Sequence, residues 1–430
     1  MAKKLVIISI DALGASDLQG DLSHIPTLKQ LVETGCHVEQ VKAIYPSLTY
    51  PSHTTIVTGE YPVAHGIVNN TKIQPTRISP DWYWYRKDVK SKTIYDVARK
   101  EGKTSAAFLW PVTAKSKIHW NIAEIFPNRI WTNQVLVSMS ASSPKFIFEM
   151  NKKYGYLRNG IQQPELDDFV TACAADTLLN KKPDLTLIHL VDMDSQRHAH
   201  GVRSFAAQNA LVRQDIRVRK IIEATKKAGT YDETVFVILG DHYQIDVQKR
   251  IQLNVRFEQL GWLNARSDGT VAKNWEVYAQ SCDGSSYVLV DKKSAITPEI
   301  VREELEKIEG IEAVYTTKQA EKMGASNKIT FMVEAQRGYY FTDESTGEVV
   351  ATVKSDEIGS PNRYKAVHGF SPEKENYNTT LVFNGVGIAK NKKIKQARLI
   401  DEAATFAKIL ALKTFPKDIA GGVIEGVFET

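Results

Sequence analysis

Five short runs of apolar, largely β-branched residues punctuate the chain: "KLVIISID" ending at Asp11, "SAAFLW" at Trp110, "LTLIHLVD" at Asp192, "TVFVILGD" at Asp241 and "NTTLVFNG" at Gly385. They are near-continuously apolar rather than alternating, which predicts strands buried on both faces of a mostly parallel sheet. Segments with helical spacing lie between them. "IPTLKQLVETG" has Pro26 near its start and Gly35 at its end, "TIYDVARKEG" stops at Gly102, and a longer run extends from about Ser204 to Gly229. The alternation predicts an α/β fold: a central, mostly parallel sheet with helices on both faces and ligands at the C-terminal ends of the strands.

The rhythm breaks between Tyr243 and Arg363. "SSYVLVD", the helix-like "TPEIVREELEKIEG", "ITFMVEA" and "RGYYFTD" predict a smaller, cap-like α+β insert over 243–363. The core of the fold would then comprise 1–242 and 364–430. Core-strand patterning resumes after His368, and there are no internal repeats or low-complexity tracts.

Composition narrows the function classes. The 430 residues carry 43% hydrophobic and 24% charged side chains, ordinary values for a globular protein. A net charge of +5, dispersed without a basic block, gives no footprint for a nucleic-acid polymer. Cys36, Cys173 and Cys282 are too few and too far apart for a disulfide framework or a zinc ribbon, so reduced thiols are expected. The apolar run before Asp11 is short for a secretory leader, and no segment is apolar enough to span a membrane. Taken as a natural start, it predicts a cytoplasmic protein without a membrane partner.

Three predicted strands end in acid: Asp11, Asp192 with Asp194 close behind, and Asp241. Three carboxylates converging on one sheet edge repel one another unless a cation lies between them. In "DMDSQRHAHG", Asp194 and His198 stand four apart and share a helix face. "GDHYQ" sets His242 beside Asp241, and "AVHGF" places His368 before a glycine suited to a tight turn. Taken singly, each is an ordinary surface pair or a hydrogen-bonded histidine. Together, six carboxylate and imidazole ligands suffice for two divalent ions, with zinc first and manganese or iron as alternatives. Two such ions about 4 Å apart clamp a reacting phosphoryl group. The stretch "YPSLTYPSHTTIVTG" presents Thr49 between Pro46 and Pro51, in a turn before a helix expected from about Ser52. Its hydroxyl suits either an N-cap or a place where anions bind.

In this order, the motifs resemble the alkaline phosphatase superfamily, and most closely its nucleotide pyrophosphatase/phosphodiesterase branch. The resemblance rests on Asp11, "PSLTYPSHTTIVTGEYPVAHGIVNN", Asp194-x-x-x-His198-x-x-Gly201, Asp241-His242 and His368-Gly369-Phe370, and on "RLIDEAATFAKILAL" near the end; it covers residues 4–412. It implies one ion on Asp194, His198 and His368. The other would sit on Asp11, Asp241, His242 and the oxygen of Thr49, the nucleophile of a covalent phospho-threonine pathway. It also implies that Asn70 and the backbone N–H of Tyr50 stabilise a phosphate oxygen, and that Tyr50 and His189 flank a nucleotide base. The substrate would be a small phosphodiester or nucleotide, hydrolysed at a phosphodiester or phosphoanhydride bond.

Three positions depart from the family pattern. Tyr243 stands where Gly is common, Asp192-Met193 where Glu-Pro is common, and His189 where nucleotide-cleaving members carry an aromatic residue. Trp110 and the cluster Trp82 to Tyr85 are further candidates for lining the pocket, whereas His53, His65 and His200 are assigned no metal. The alternatives are a phosphomonoesterase, a phosphonate hydrolase of the phosphonoacetate type, or a phosphate-binding pseudoenzyme. A monoesterase needs an extra cation at the reacting phosphate, and no Lys or Arg stands near Thr49 in the sequence. Nothing in the residues fixes the oligomeric state.

Overall fold

In the computed structural model, which describes residues 4–129 and 133–429, the first apolar run forms the strand Lys4–Ile10. It lies inside an eight-stranded sheet ordered Lys392–Arg398, Cys36–Lys42, Thr379–Gly385, Thr234–Leu239, Lys4–Ile10, Leu185–Leu190, Ser105–Phe108, Trp120–Ile122. All neighbours are parallel except Thr379–Gly385, which runs antiparallel to both of its partners. Each of the five expected strands is present.

The absence of alternation has its reason in the packing. Leu5 and Ile7 enter one apolar cluster with Ile56, Ala98 and Phe406, from helices Thr49–Thr58, Ile94–Lys100 and Glu402–Ile409. Val6, Ile8 and Ile10 enter a second, with Leu28, Val170 and Val218 from helices Pro26–Thr34, Glu165–Asn180 and Phe205–Ala228. Helices therefore cover both faces, and every side chain of the strand after Lys4 is buried. The predicted helix ends hold at Ser204, whose hydroxyl accepts from the Ala207 N–H, and at Gly229, which takes the left-handed conformation.

The strand order sets up the chemistry. Thr234–Leu239, Lys4–Ile10 and Leu185–Leu190 are adjacent and parallel, so Asp11, Asp241 and the helix Asp192–His200 leave the same edge of the sheet side by side.

Residues 245–367 build two smaller sheets. Val277–Cys282, Ser285–Val290, Phe331–Ala335 and Ile311–Thr316 form an antiparallel sheet. Ile245–Ile251 pairs with Gly338–Phe341, Val350–Thr352 and Ala366–Val367 in the other. The helix-like segment is the helix Pro298–Leu305. These elements share an apolar cluster of their own, including Phe257, Val288, Val333 and Phe370.

Candidate active site

Thr49 does not precede its helix but opens it. The helix runs Thr49–Thr58 rather than starting near Ser52, and Leu48 occupies the N-cap position without a side-chain bond. Pro51 is tolerated because the first-turn N–H groups have no partner within the helix. The threonine hydroxyl is thus not a cap: it lies 3.0 Å from His242 Nε2. The helix is buried along its whole length, and Thr49 keeps 8% of its surface exposed. The His53 imidazole ties the mount down, with Nδ1 2.8 Å from the Thr49 carbonyl and Nε2 2.9 Å from Ser9 Oγ.

Around Thr49 the six predicted ligands fall into two groups. Asp11, Asp241 and His242 form one, Asp194, His198 and His368 the other, each with its donor atoms within 4.8 Å of one another. His242 Nε2 is 3.4 Å from Asp11 Oδ1 and 3.2 Å from Asp241 Oδ2. His198 Nε2 and His368 Nε2 lie 3.4 and 4.0 Å from Asp194 Oδ1. The His242 and His368 rings are 4.1 Å apart, so the two groups abut.

The local backbone explains how loops reach these positions. Ala12 adopts a positive φ of 64° just after Asp11, and its N–H donates to Asp241 Oδ1 at 3.2 Å. Gly240 must lack a side chain, since a Cβ there would stand 1.9 Å from the Leu13 carbonyl oxygen. Gly369 takes φ +82° and passes so close to the Cys282 carbonyl that a Cβ would overlap it, which turns the chain directly after His368.

The donor set fits divalent cations. Asp11 Oδ1 and Asp241 Oδ2 are buried and have no hydrogen-bond partner, although both face His242. Buried carboxylate oxygens left this way are costly unless a cation compensates them. Burial and the charge of Asp194 push Asp11 up to about 7, and burial with the charge of Asp11 raises Asp241. In the other group, His198 Nδ1 donates to the Ala366 carbonyl at 2.8 Å and so turns Nε2 toward Asp194. Gln244 Nε2 donates to Asp194 Oδ1, a carboxylate-orienting contact with no signal in the sequence. Asp192 belongs to neither group: it is fully buried and paired with Arg213 and Arg217 at 2.6 and 2.9 Å.

A cavity of about 730 Å³ opens over Thr49 and is lined by members of both groups together with Asn70, Trp82 and Glu124. The Tyr50 N–H donates to Asn70 Oδ1 at 2.9 Å instead of standing free for a substrate. That bond leaves the Asn70 NH2 as the amide group able to face the cavity. Tyr50 is 1% exposed with its ring edge-on to Trp82 at 5.2 Å, so the more accessible aromatic surfaces of the cavity are Trp82 and Tyr364.

His189 departs most from expectation. It is 1% exposed, with Nε2 3.0 Å from Asp11 Oδ2 and Nδ1 3.1 Å from the Leu109 carbonyl. Its ring braces a carboxylate rather than offering a face to a base. Trp110 is fully buried against His53 and packs in the core. Tyr243 fills the space over Gly14, bonds Ser16 through its hydroxyl at 3.1 Å and lies under the Arg197 guanidinium. Asp283, Arg363 and Tyr364 also line the cavity; the first two come from the 243–363 region and Tyr364 directly follows it, and spacing gave no pointer to them.

The model of the type I phosphodiesterase / nucleotide pyrophosphatase family matches residues 5–371, most of the chain. The chain belongs to this family. Human ectonucleotide pyrophosphatase/phosphodiesterase family member 1 is 24% identical over 262 residues, 58% of this chain and 24% of that protein. Venom phosphodiesterase 2 of Crotalus adamanteus is 23% identical over 249 residues, 55% of this chain and 26% of that protein. The chain thus spans about a quarter of the length of these curated relatives. Among solved structures, human ectonucleotide pyrophosphatase/phosphodiesterase 5 superposes with a TM-score of 0.70 at 18% identity, covering 100% of both chains. Its murine counterpart, solved as an inactive threonine-to-alanine variant in complex with AMP, gives 0.68 at 17% identity, covering 98% of both. These likenesses show the α/β fold that the family adopts.

Proposed function

We propose that this family member hydrolyses phosphodiester or phosphoanhydride bonds in small molecules, nucleotides among them, through a phosphothreonine formed on Thr49. The observation that carries the reading is the pair of abutting acid–imidazole groups around one threonine hydroxyl, with two buried carboxylate oxygens that have no hydrogen-bond partner. Asp11, Asp241, His242 and the Thr49 oxygen would hold one divalent ion and Asp194, His198 and His368 the other, with zinc favoured by the mixed oxygen and nitrogen donors. Such ions supply Lewis acidity that favours the deprotonated hydroxyl and neutralises charge on the phosphoryl oxygens.

The chain's own residues do the rest. The helix start and His53 hold Thr49 with its oxygen toward the cavity, and the oxygen attacks phosphorus in line. The leaving oxygen departs on the opposite side with the proton lost from the hydroxyl, and water then cleaves the phospho- or nucleotidyl-threonine, releasing the phosphate monoester and restoring the hydroxyl. Asn70, oriented by the Tyr50 N–H, donates from its amide to a phosphoryl oxygen and stabilises charge that grows in the transition state. The AMP bound by the murine neighbour supports a nucleotide arm in the substrate. The test is the rate on bis-p-nitrophenyl phosphate of zinc-loaded protein, with Thr49→Ala as the blank. Turnover confined to the parent is expected, and equal turnover by both would remove the assignment.

A further inference from the structure

The cavity wall carries four acids, Asp11, Glu124, Asp194 and Asp283, and among its described residues a single Lys or Arg, Arg363. Resting on the hydrolase reading above, we propose that Arg363 determines specificity by binding a second phosphoryl group on the leaving side of the substrate, so that phosphoanhydrides are preferred to simple diesters.

Position supports this. Thr49 stands with the Asp11–Asp241–His242 group. An in-line leaving group therefore departs toward the Asp194–His198–His368 side. Arg363 lines the cavity, and the chain directly after it is anchored on that side: the Tyr364 ring lies 4.9 Å from the His198 ring, and the Lys365 N–H donates to the His198 carbonyl at 2.7 Å. A second phosphoryl group on that side would meet the Asp283 carboxylate, and Arg363 offers the compensating charge.

The bonding of Arg363 leaves part of its guanidinium unengaged. Its hydrogen bonds all run through Nη1, to Glu344 Oε1 at 2.8 Å and to the Pro361 and Asn362 carbonyls at 3.3 Å. Nη2 makes no hydrogen bond to a described residue and Nε lies 4.0 Å from Glu357, which leaves donors for a phosphoryl oxygen. Glu344 also accepts from Arg250 at 2.8 Å, so it keeps a cation even if Arg363 turns away. The segment that carries Arg363 has no regular structure, and Pro361 and Asn362 are exposed.

The test compares metal-loaded full-length protein, Arg363→Gln and Glu344→Gln on ATP, bis-p-nitrophenyl phosphate and p-nitrophenyl phosphate. Arg363→Gln is expected to lower kcat/KM on ATP roughly ten- to a hundredfold, mainly through KM. The uncharged arms of bis-p-nitrophenyl phosphate make no use of Arg363, and its rate should change by no more than about twofold. Glu344→Gln, which releases Arg363, should not weaken ATP. Three results would overturn the proposal: an unchanged ATP rate, an equal fall on all three substrates, or a loss confined to p-nitrophenyl phosphate, which would put Arg363 on the reacting phosphorus. Titration of a non-hydrolysable ATP analogue into Thr49→Ala protein, with and without Arg363→Gln, reads the same contact without turnover. If the parent cleaves none of the substrates, the hydrolase reading fails, and this titration still decides whether Arg363 binds the phosphoryl chain.

Discussion

Asp11 shows how one side chain can serve two partners. Its Oδ2 is held by His189, and its Oδ1 is left unpartnered beside His242. Removing the brace frees the carboxylate to rotate, so His189→Ala should weaken metal binding roughly ten- to a hundredfold while the fold persists. A metal titration reads this directly, and unchanged affinity would mean that His189 only fills space. The second group makes a sharper prediction. His198→Ala and His368→Ala should each lose one equivalent of metal by elemental analysis, because each removes one of three protein ligands. Two equivalents retained in either variant would contradict the pairing of ligands.

The elements meet at Glu334, on the strand Phe331–Ala335. Its carboxyl is 1% exposed, accepts from the Tyr45 hydroxyl at 2.8 Å and the Ser371 N–H at 3.0 Å, and lies 3.4 Å from Lys374. It thereby ties the smaller antiparallel sheet to the segments leading to Thr49 and following His368. Burial pushes Glu334 up to about 7, against the charge of Lys374 and the Ser371 N–H. A carboxyl raised in the fold contributes stability that is complete below its unfolded value near 4.5 and is lost as pH rises through about 7. The loss is at most about 3 kcal/mol. Thermal midpoints should therefore decline across that window in the parent and less so in Glu334→Gln, and parallel profiles would show that Glu334 stays ionised. The legibility of elements followed burial. Apolar strands such as Thr234–Leu239 could be read from the sequence because both faces are covered. Lys392–Arg398 was missed because it is a mostly exposed, lysine-rich edge, and Cys36–Lys42 because its Glu and Gln dilute the apolar pattern. The six metal-ligand candidates could be read because their residue types recur at strand ends. Glu124, Asp283, Arg363 and the brace by His189 could not, since tertiary packing alone brings them to the cavity.

At the scale of the molecule, the site depends on both parts of the chain. Adjacent parallel strands deliver Asp11, Asp241 and the Asp194 helix to one edge, and the later segment delivers Asp283, Arg363 and Tyr364 as the facing wall. Cations held by the six ligands would stabilise the folded state by linkage, so a chelator should abolish turnover and lower the thermal midpoint, and zinc should restore both. An unchanged midpoint would place the ions outside the structural framework. The central claim is that Thr49 is the nucleophile, and the most direct measurement is the hydrolysis rate of zinc-loaded Thr49→Ala on bis-p-nitrophenyl phosphate, beside its metal content and circular dichroism. The account predicts background turnover with two metal equivalents and an unchanged fold, whereas a rate equal to the parent's would contradict it.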